Sequence, residues 1–331
     1  MKFIRTSILF GLLMVWCVPV ILLGNQAYGA DRNKSLYMVG GSTTTTWVYG
    51  MLSVWAETIT PKLGGISFLI QETAGSRIHD ELMANGEIDF GSSSSNIDYD
   101  AWRGEGQYKG KPYRDSLTVF PIIASAYQVV TMDKFPYRKL QDLRGKKIAL
   151  GSAGSPSQKA VKNVFNKVGL GEGEYTPVFA EVSECFQMLQ EGRVAAVAYA
   201  TGAPFSHVIE LGATHKPRLI GFTSEEIEKA CQGTTARPFQ ITSKQYDFIK
   251  GGEIVETVAG FQTVLAHVDV PEDVVYKITK ATWENWDSIS NVVIACKGIT
   301  LDSVPKQFKP YHPGAVKYYK EIGIDLSAVG R

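Results

Sequence analysis

The stretch Val39-Gly40-Gly41-Ser42-Thr43-Thr44-Thr45-Thr46-Trp47 decides the fold. Before it, Leu36, Tyr37, Met38 and Val39 read as a short buried strand. After it, Val48, Met51, Leu52, Trp55 and Ile59 fall at i, i+3, i+4, i+7 and i+11, one face of a helix. The join is strand, glycine-hydroxyl loop, helix. Such a loop offers free backbone N–H groups at the positive end of a helix, where an anion is stabilised. Glycine lets the backbone approach a ligand closely, and hydroxyls donate or accept. A Ser/Thr run before a helix also serves simply as an N-cap. What favours a binding role is that the arrangement recurs.

Residues 66–71 read as a second strand, followed by Thr73-Ala74-Gly75-Ser76 and a helix over 77–85. Residues 87–90 read as a third strand, leading into Gly91-Ser92-Ser93-Ser94-Ser95-Asn96 and another helix. Three strand–loop–helix units in about 65 residues argue a parallel sheet with helices on its faces. Ligands of such sheets sit at the carboxyl ends of the strands, where these loops gather. Residues 117–132 and 254–267 are long β-rich runs, each able to carry the chain from one lobe to another. Between them the pattern repeats. A strand ending at Leu150 meets Gly151-Ser152-Ala153-Gly154-Ser155-Pro156-Ser157-Gln158, with Pro156 at a helix start. A further strand, 195–200, precedes Thr201-Gly202-Ala203-Pro204. Residues 233–252 read as turn-rich, 271–286 as one helix, and the chain ends in a helix after Tyr311-His312-Pro313-Gly314. The crossing runs divide the chain into one lobe of 31–125 plus 262–331 and a second of 126–261.

At 331 residues, 44% hydrophobic and 20% charged, the chain is globular and long enough for about two domains. A net charge of +1 gives no electrostatic footprint for nucleic acid. Lys2 and Arg5, an apolar run over 8–23 and the small residues of Ala27-Tyr28-Gly29 read as a secretory signal peptide, residues 1–29, with cleavage after Gly29 or Ala30. The competing reading is an uncleaved anchor, for which the run is short. Cleavage removes two basic residues and Cys17, leaving Cys185, Cys231 and Cys296. An odd number permits at most one disulfide within the chain. Cys185 reads as a buried thiol, and a Cys231–Cys296 pair stays open.

Catalytic and metal motifs do not emerge. The fourth loop lacks the Gly-Lys-Ser/Thr ending of a triphosphate loop and the full Gly-x-Gly-x-x-Gly of a dinucleotide site. No His-Glu-x-x-His occurs, and His207, His215 and His267 have no metal-ligand spacing. Asp98 with Asp100, and Glu225 with Glu226, point apart on helices and make no acid–base couple. His79 reads as a surface group or one standing behind the site, and His312 as ordering the last turn. The expectation is therefore no catalytic residue, no metal and no cofactor. The alternative is a periplasmic enzyme or a sensor-coupled binding module.

Taken in order, these motifs resemble the extracytoplasmic solute-binding proteins of the TAXI type, the receptors of tripartite ATP-independent periplasmic (TRAP) transporters. The resemblance rests on Gly40-Gly41-Ser42 with its aromatic-bearing helix, Thr73 to Ser76, the run 82–89 with Ser95-Asn96, and Asp142-Leu143-Arg144-Gly145-Lys146-Lys147. It continues through Gly151 to Ser155, 187–193, Tyr199 to Gly202 and the closing 312–321. It implies an α/β, periplasmic-binding-protein-like fold of type II, with two lobes joined by a hinge of crossing strands. It implies a periplasmic monomer that binds a small organic anion such as glutamate or 2-oxoglutarate and delivers it to a membrane permease, unmodified. The proposed pocket then takes Gly41, Ser42, Thr43 and Thr44 from the first loop, and Thr73, Gly75 and Ser76 from the second. Ser94, Ser95 and Asn96 line its floor. Ser152, Ser155, Ser157, Gln158, Tyr199 and Thr201 close it from the second lobe. Neutral donors suit a carboxylate, because hydrogen bonds to a charged acceptor are strong. Arg77 is the one cation at a loop–helix start; it either pairs with a carboxylate in bidentate fashion or is a solvated helix residue. Trp47 either packs on the ligand or staples its own helix.

Overall fold

Strand and helix alternate from the start of the described chain, which in this computed structural model comprises residues 32, 34–44 and 46–329. The segment read as a signal peptide lies outside the described residues. The first units are β1 (Leu36–Ser42), α1 (Trp47–Ile59), β2 (Ser67–Glu72), α2 (His79–Ala84), β3 (Phe90–Ser94) and α3 (Ser95–Arg103). The first long run is β4 (Ser116–Met132), 17 residues or about 55 Å when extended. Beyond it come β5 (Lys147–Ala149), α4 (Pro156–Lys167), β6 (Thr176–Val178), α5 (Val182–Gln190) and β7 (Ala196–Gly202). Then follow α6 (Ser206–Thr214), β8 (Pro217–Ile220), α7 (Ser224–Cys231) and β9 (Arg237–Ile241). The return run is β10 (Val255–His267), followed by α8 (Glu272–Glu284), α9 (Trp286–Val292) and α10 (Pro313–Glu321).

The strands form one mixed sheet, ordered β2-β1-β3-β10-β4-β7-β5-β6, with β8 paired to β4 and β9 to β10. The β1/β2, β1/β3, β5/β6 and β5/β7 pairs are parallel, as short strands with helical crossovers require. The long strands run antiparallel to each other from Ser116↔His267 to Ala126↔Ala259. The far part of β4 pairs with β7 and β8, and the near part of β10 with β9. Two α/β lobes are thus joined by the strands that cross between them.

The apolar pattern explains the packing. In α1 the buried residues are Val48, Met51, Leu52, Trp55, Ala56 and Ile59, the stripe read from spacing. The Trp55 indole donates to Thr282 Oγ1 of α8 at 2.9 Å, so a fully buried ring keeps its N–H satisfied. Phe120, Ile122, Ala124, Ala126, Val130 and Met132 lie on one face of β4 and join a core shared by both lobes. A second core, with Val129, Ile148, Val161, Phe165 and Val258, fills the other side of the distal lobe. The core therefore does not divide at the crossing strands.

Several elements differ from the sequence reading. The serine run is strand rather than loop: β3 extends through Ser94, with Ser92 and Ser93 buried. Small residues fit there because His79 packs on β3; a Cβ on Gly91 would come within 3.0 Å of it. The turn-rich stretch contains β9, and α6 and β6 are additional elements. The helix expected over 271–286 ends at Glu284, and the chain redirects through Asn285 into α9. Cys185, Cys231 and Cys296 are free thiols, so Cys231 and Cys296 are not paired. His312 orders the last turn directly: its Nδ1 accepts from the Gly314 N–H at 3.2 Å.

The start of α10 lies against α8 with no space for a side chain. A Cβ on Gly314 would stand 2.2 Å from the Glu272 carbonyl oxygen and 2.7 Å from the Tyr276 nitrogen. Gly314→Ala should lower unfolding stability in urea by about 3 kcal/mol, the upper range for overpacking a close contact.

Candidate functional site

A cleft opens between the lobes, with the crossing strands as its floor. It has two connected parts of about 260 and about 360 Å³ that share Asn96, Tyr127, Pro156, Ala160 and Gly260. The proximal wall supplies Arg77, Ser94, Ser95 and Asn96. The distal wall supplies Ser157, Lys159 and Asn163 from α4, together with Thr234 and Thr235. Ser125 of β4 and Gln262 of β10 rise from the floor. Asn96 Oδ1 accepts from Thr235 Oγ1 at 2.7 Å, so one hydrogen bond spans the two walls. A larger cavity of about 520 Å³ lies around Pro217, Phe248 and Glu253. No loop at a parallel strand end reaches it, and it carries acids and bases mixed together, so the interlobe cleft is the better candidate.

Of the residues nominated from sequence, Arg77, Ser94, Ser95, Asn96 and Ser157 line this cleft. Arg77 is exposed, and the Ser157 hydroxyl accepts the Ala200 N–H at 2.9 Å. Ser95 is buried, and its hydroxyl donates to the Phe261 carbonyl at 2.9 Å while accepting the Phe261 N–H at 3.0 Å. That clamp ties α3 to β10.

The other nominated residues do not line these two parts of the cleft. Gly41 needs its missing side chain for packing: a Cβ would lie 2.7 Å from Ile70 and 2.9 Å from Tyr49. Ser42 has a left-handed backbone at φ 77° and donates its N–H to Thr73 Oγ1 at 3.0 Å. Thr43 gives its carbonyl to Thr46, and the Thr44 N–H donates to Glu72 at 3.2 Å. Trp47 starts α1 and is 39% exposed. Gly75 donates to Thr73 Oγ1, and Ser76 Oγ lies 3.4 Å from Ser92 Oγ. Ser152 donates to Glu181, Ser155 caps α4, and buried Gln158 accepts from the Gly154 N–H. Tyr199 stacks on Phe205, and the Thr201 carbonyl accepts from Gln128.

Spacing alone did not point to Ser125, Tyr127, Lys159, Asn163, Thr234, Thr235 or Gln262. Lys159 left a readable signal, a cation near the start of a helix whose first turn holds no acid. The rest reach the cleft only through the crossing of β4 and β10. Burial raises the Tyr127 phenol to about 12, so it meets the cleft as a neutral group.

His79 is buried rather than at the surface, and it joins the three proximal loops. Its Nδ1 donates to the Ser92 carbonyl at 2.7 Å, and its Nε2 accepts from Thr73 Oγ1 at 2.8 Å. This neutral tautomer is the one that satisfies every partner, because Thr73 Oγ1 already accepts from Ser42 and Gly75. A Cβ on Gly40 would meet the imidazole at 2.7 Å, so the ring also fixes a glycine in β1. Burial lowers the His79 pKa, against the opposing pull of the Ser92 carbonyl and Asp80. The unfolded chain therefore takes up a proton first as pH falls. The contribution of His79 to stability is complete above its ordinary value of 6.5 and fades as pH drops below it. Thr73→Val, which keeps the shape and removes the shared oxygen, should destabilise by about 2–3 kcal/mol in chemical denaturation.

Behind α3, Lys309 is buried with its Nζ 3.6 Å from Asp98 and 3.8 Å from Asp80, and it donates to Ser116 Oγ at 2.6 Å. Ser116 and Tyr108 both donate to Asp80. Asp98 Oδ1 accepts no hydrogen bond among the described residues. Burial raises the Asp98 pKa to about 6, against the attraction of Lys309. The folded state then holds a proton that the unfolded chain has released, so this carboxyl costs stability as pH rises from its ordinary 3.8 to about 6. Asp98→Asn should gain on the wild type by roughly 2 kcal/mol between pH 4 and 6.5, read from melting curves across that range.

The sheet defines a fold class, the two-lobed α/β fold of type II periplasmic binding proteins. The TctC solute-binding protein from Polaromonas superposes with a TM-score of 0.51 at 11% identity, covering 78% of this chain and 87% of that one. The periplasmic sulfonate-binding protein SsuA from Methylobacillus flagellatus KT gives 0.47 at 16% identity, covering 89% and 90%. Substrate-binding domain 2 of GlnP from Lactococcus lactis, in its open conformation, gives 0.45 at 11%, covering 82% and 98%. The chain belongs to the NMT1-like family, whose model matches residues 38–323.

Proposed function

We propose that this protein is the extracytoplasmic solute receptor of a TRAP transporter, of the TAXI type. It takes a small organic anion, of the glutamate or 2-oxoglutarate kind, into the interlobe cleft and hands it unmodified to a membrane permease. Its lobes are 31–125 with 262–331, and 126–261, and its site of action is the periplasm. The observation that carries this reading is the cleft lining. It combines Arg77 and Lys159 with hydroxyls and amides and no Asp, Glu, His or Cys, so it can hold an anion and places no carboxylate or imidazole beside it as a general base. The TRAP and TAXI assignment rests on the run of motifs from Gly40 to Glu321. Among the described residues no helix is long and apolar enough to cross a membrane.

Ligand that binds only the folded state raises the melting temperature by mass action. A thermal-shift screen of amino acids, 2-oxo acids and dicarboxylates should therefore give a saturable rise for one group of acids. Arg77→Ala should weaken that ligand about tenfold or more by calorimetry, as loss of a charge-assisted contact does. Equal affinity in the variant would return Arg77 to the solvated surface. Turnover of an acid with no thermal shift would replace the receptor with an enzyme.

A further inference from the structure

Among the described residues, two charged side chains line the interlobe cleft, and both are cations. Arg77 stands on the proximal wall and Lys159 on the distal one. No carboxylate lines either part of the cavity. Neither cation takes part in an ion pair of the described residues. The placement of Lys159 is also unfavourable for its own helix. Its N–H bonds back to the carbonyl of the capping residue Ser155, which puts Lys159 at the opening of α4, the positive end of a helix whose first turn carries no acid. A ligand anion would compensate both features at once.

We infer that Lys159 reads ligand charge from the second lobe, so that the cleft selects an anion with two separate acidic groups and no ammonium. This rests on the receptor reading and sharpens it. When the lobes close, both cations lose water, and a monoanion leaves one of them without a counter-charge. An amino acid adds a third positive group that finds no carboxylate in the wall. Selection then works by penalising wrong ligands as much as by holding the right one. Of the two solutes named above, 2-oxoglutarate fits this lining and glutamate does not.

The test is calorimetry on the mature protein with 2-oxoglutarate, glutamate and 2-oxopentanoate, the last lacking the second carboxylate. Wild type should bind 2-oxoglutarate about tenfold or more tighter than either other acid. Lys159→Met should bring 2-oxoglutarate and 2-oxopentanoate within about threefold of each other, and Lys159→Arg should keep the preference. Matching melting temperatures for the ligand-free proteins establish that the variants fold. Equal binding of the two oxo acids by wild type, or a preference that survives Lys159→Met, overturns the role of Lys159. Glutamate binding as tightly as 2-oxoglutarate overturns the exclusion of ammonium. Silence with every organic acid in the wider screen is a different result, and it removes the receptor reading together with this one.

Discussion

The pairing of β4 with β10 is the constraint on which the other features depend. Each strand belongs to both lobes, and their shared ladder runs from Ser116↔His267 to Ala126↔Ala259. The ladder shifts register at two places, between Val264 and Leu265 and between Gln262 and Thr263, and at the second Pro121 stands opposite Thr263. Proline cannot donate to a ladder, so in a central strand it belongs at such an irregularity. The second shift lies next to the cleft floor, to which Gly260, Phe261 and Gln262 contribute. A bulge re-aims side chains and sharpens local twist. The same defect that accommodates Pro121 therefore shapes the surface on which a ligand would rest.

Above that floor, most of the polar loop residues hold the loops to one another. Thr73 and His79 bind the ends of β1, β2 and β3 into one unit. Ser95 clamps α3 to β10, and Ser157 fixes α4 to β7. A hydroxyl that both donates and accepts can satisfy two backbone groups in a space too small for a longer side chain. This ties the walls to the sheet and leaves few cleft groups uncommitted, Arg77 and Lys159 among them.

The elements with strong periodicity were legible in the sequence. The α1 stripe and the two long β-runs appear with boundaries within a residue or two of those read from spacing. Their signal is hydrophobic burial, which spacing reports directly. The serine run hides its strand because serine is a turn residue by habit, whereas Ser92 and Ser93 are buried and His79 of the preceding helix packs on the same strand at Gly91. β9 was hidden for a related reason. Its residues Arg237 to Ile241 acquire strand geometry from β10, paired as Val255↔Ile241 through Ala259↔Arg237, and not from their own composition. The cleft was legible in part. Loop chemistry pointed to the proximal wall and the acid-free start of α4 to Lys159, but Thr235 and Gln262 reach it through tertiary crossing alone.

Whole-chain charge was a poor guide to the cleft. A formal charge of +1 over 331 residues suggests no preference for anions. Some acids and bases elsewhere pair with each other, as in Arg32 with Asp89 and in the buried group around Lys309. Those pairs cancel at a distance, and salt screens what remains beyond roughly 8 Å at physiological ionic strength. Two unpaired cations inside a cleft are not cancelled in this way. Long-range steering is then weak, and any discrimination among charged solutes would have to arise at contact, when water leaves and each charge either meets its opposite or does not.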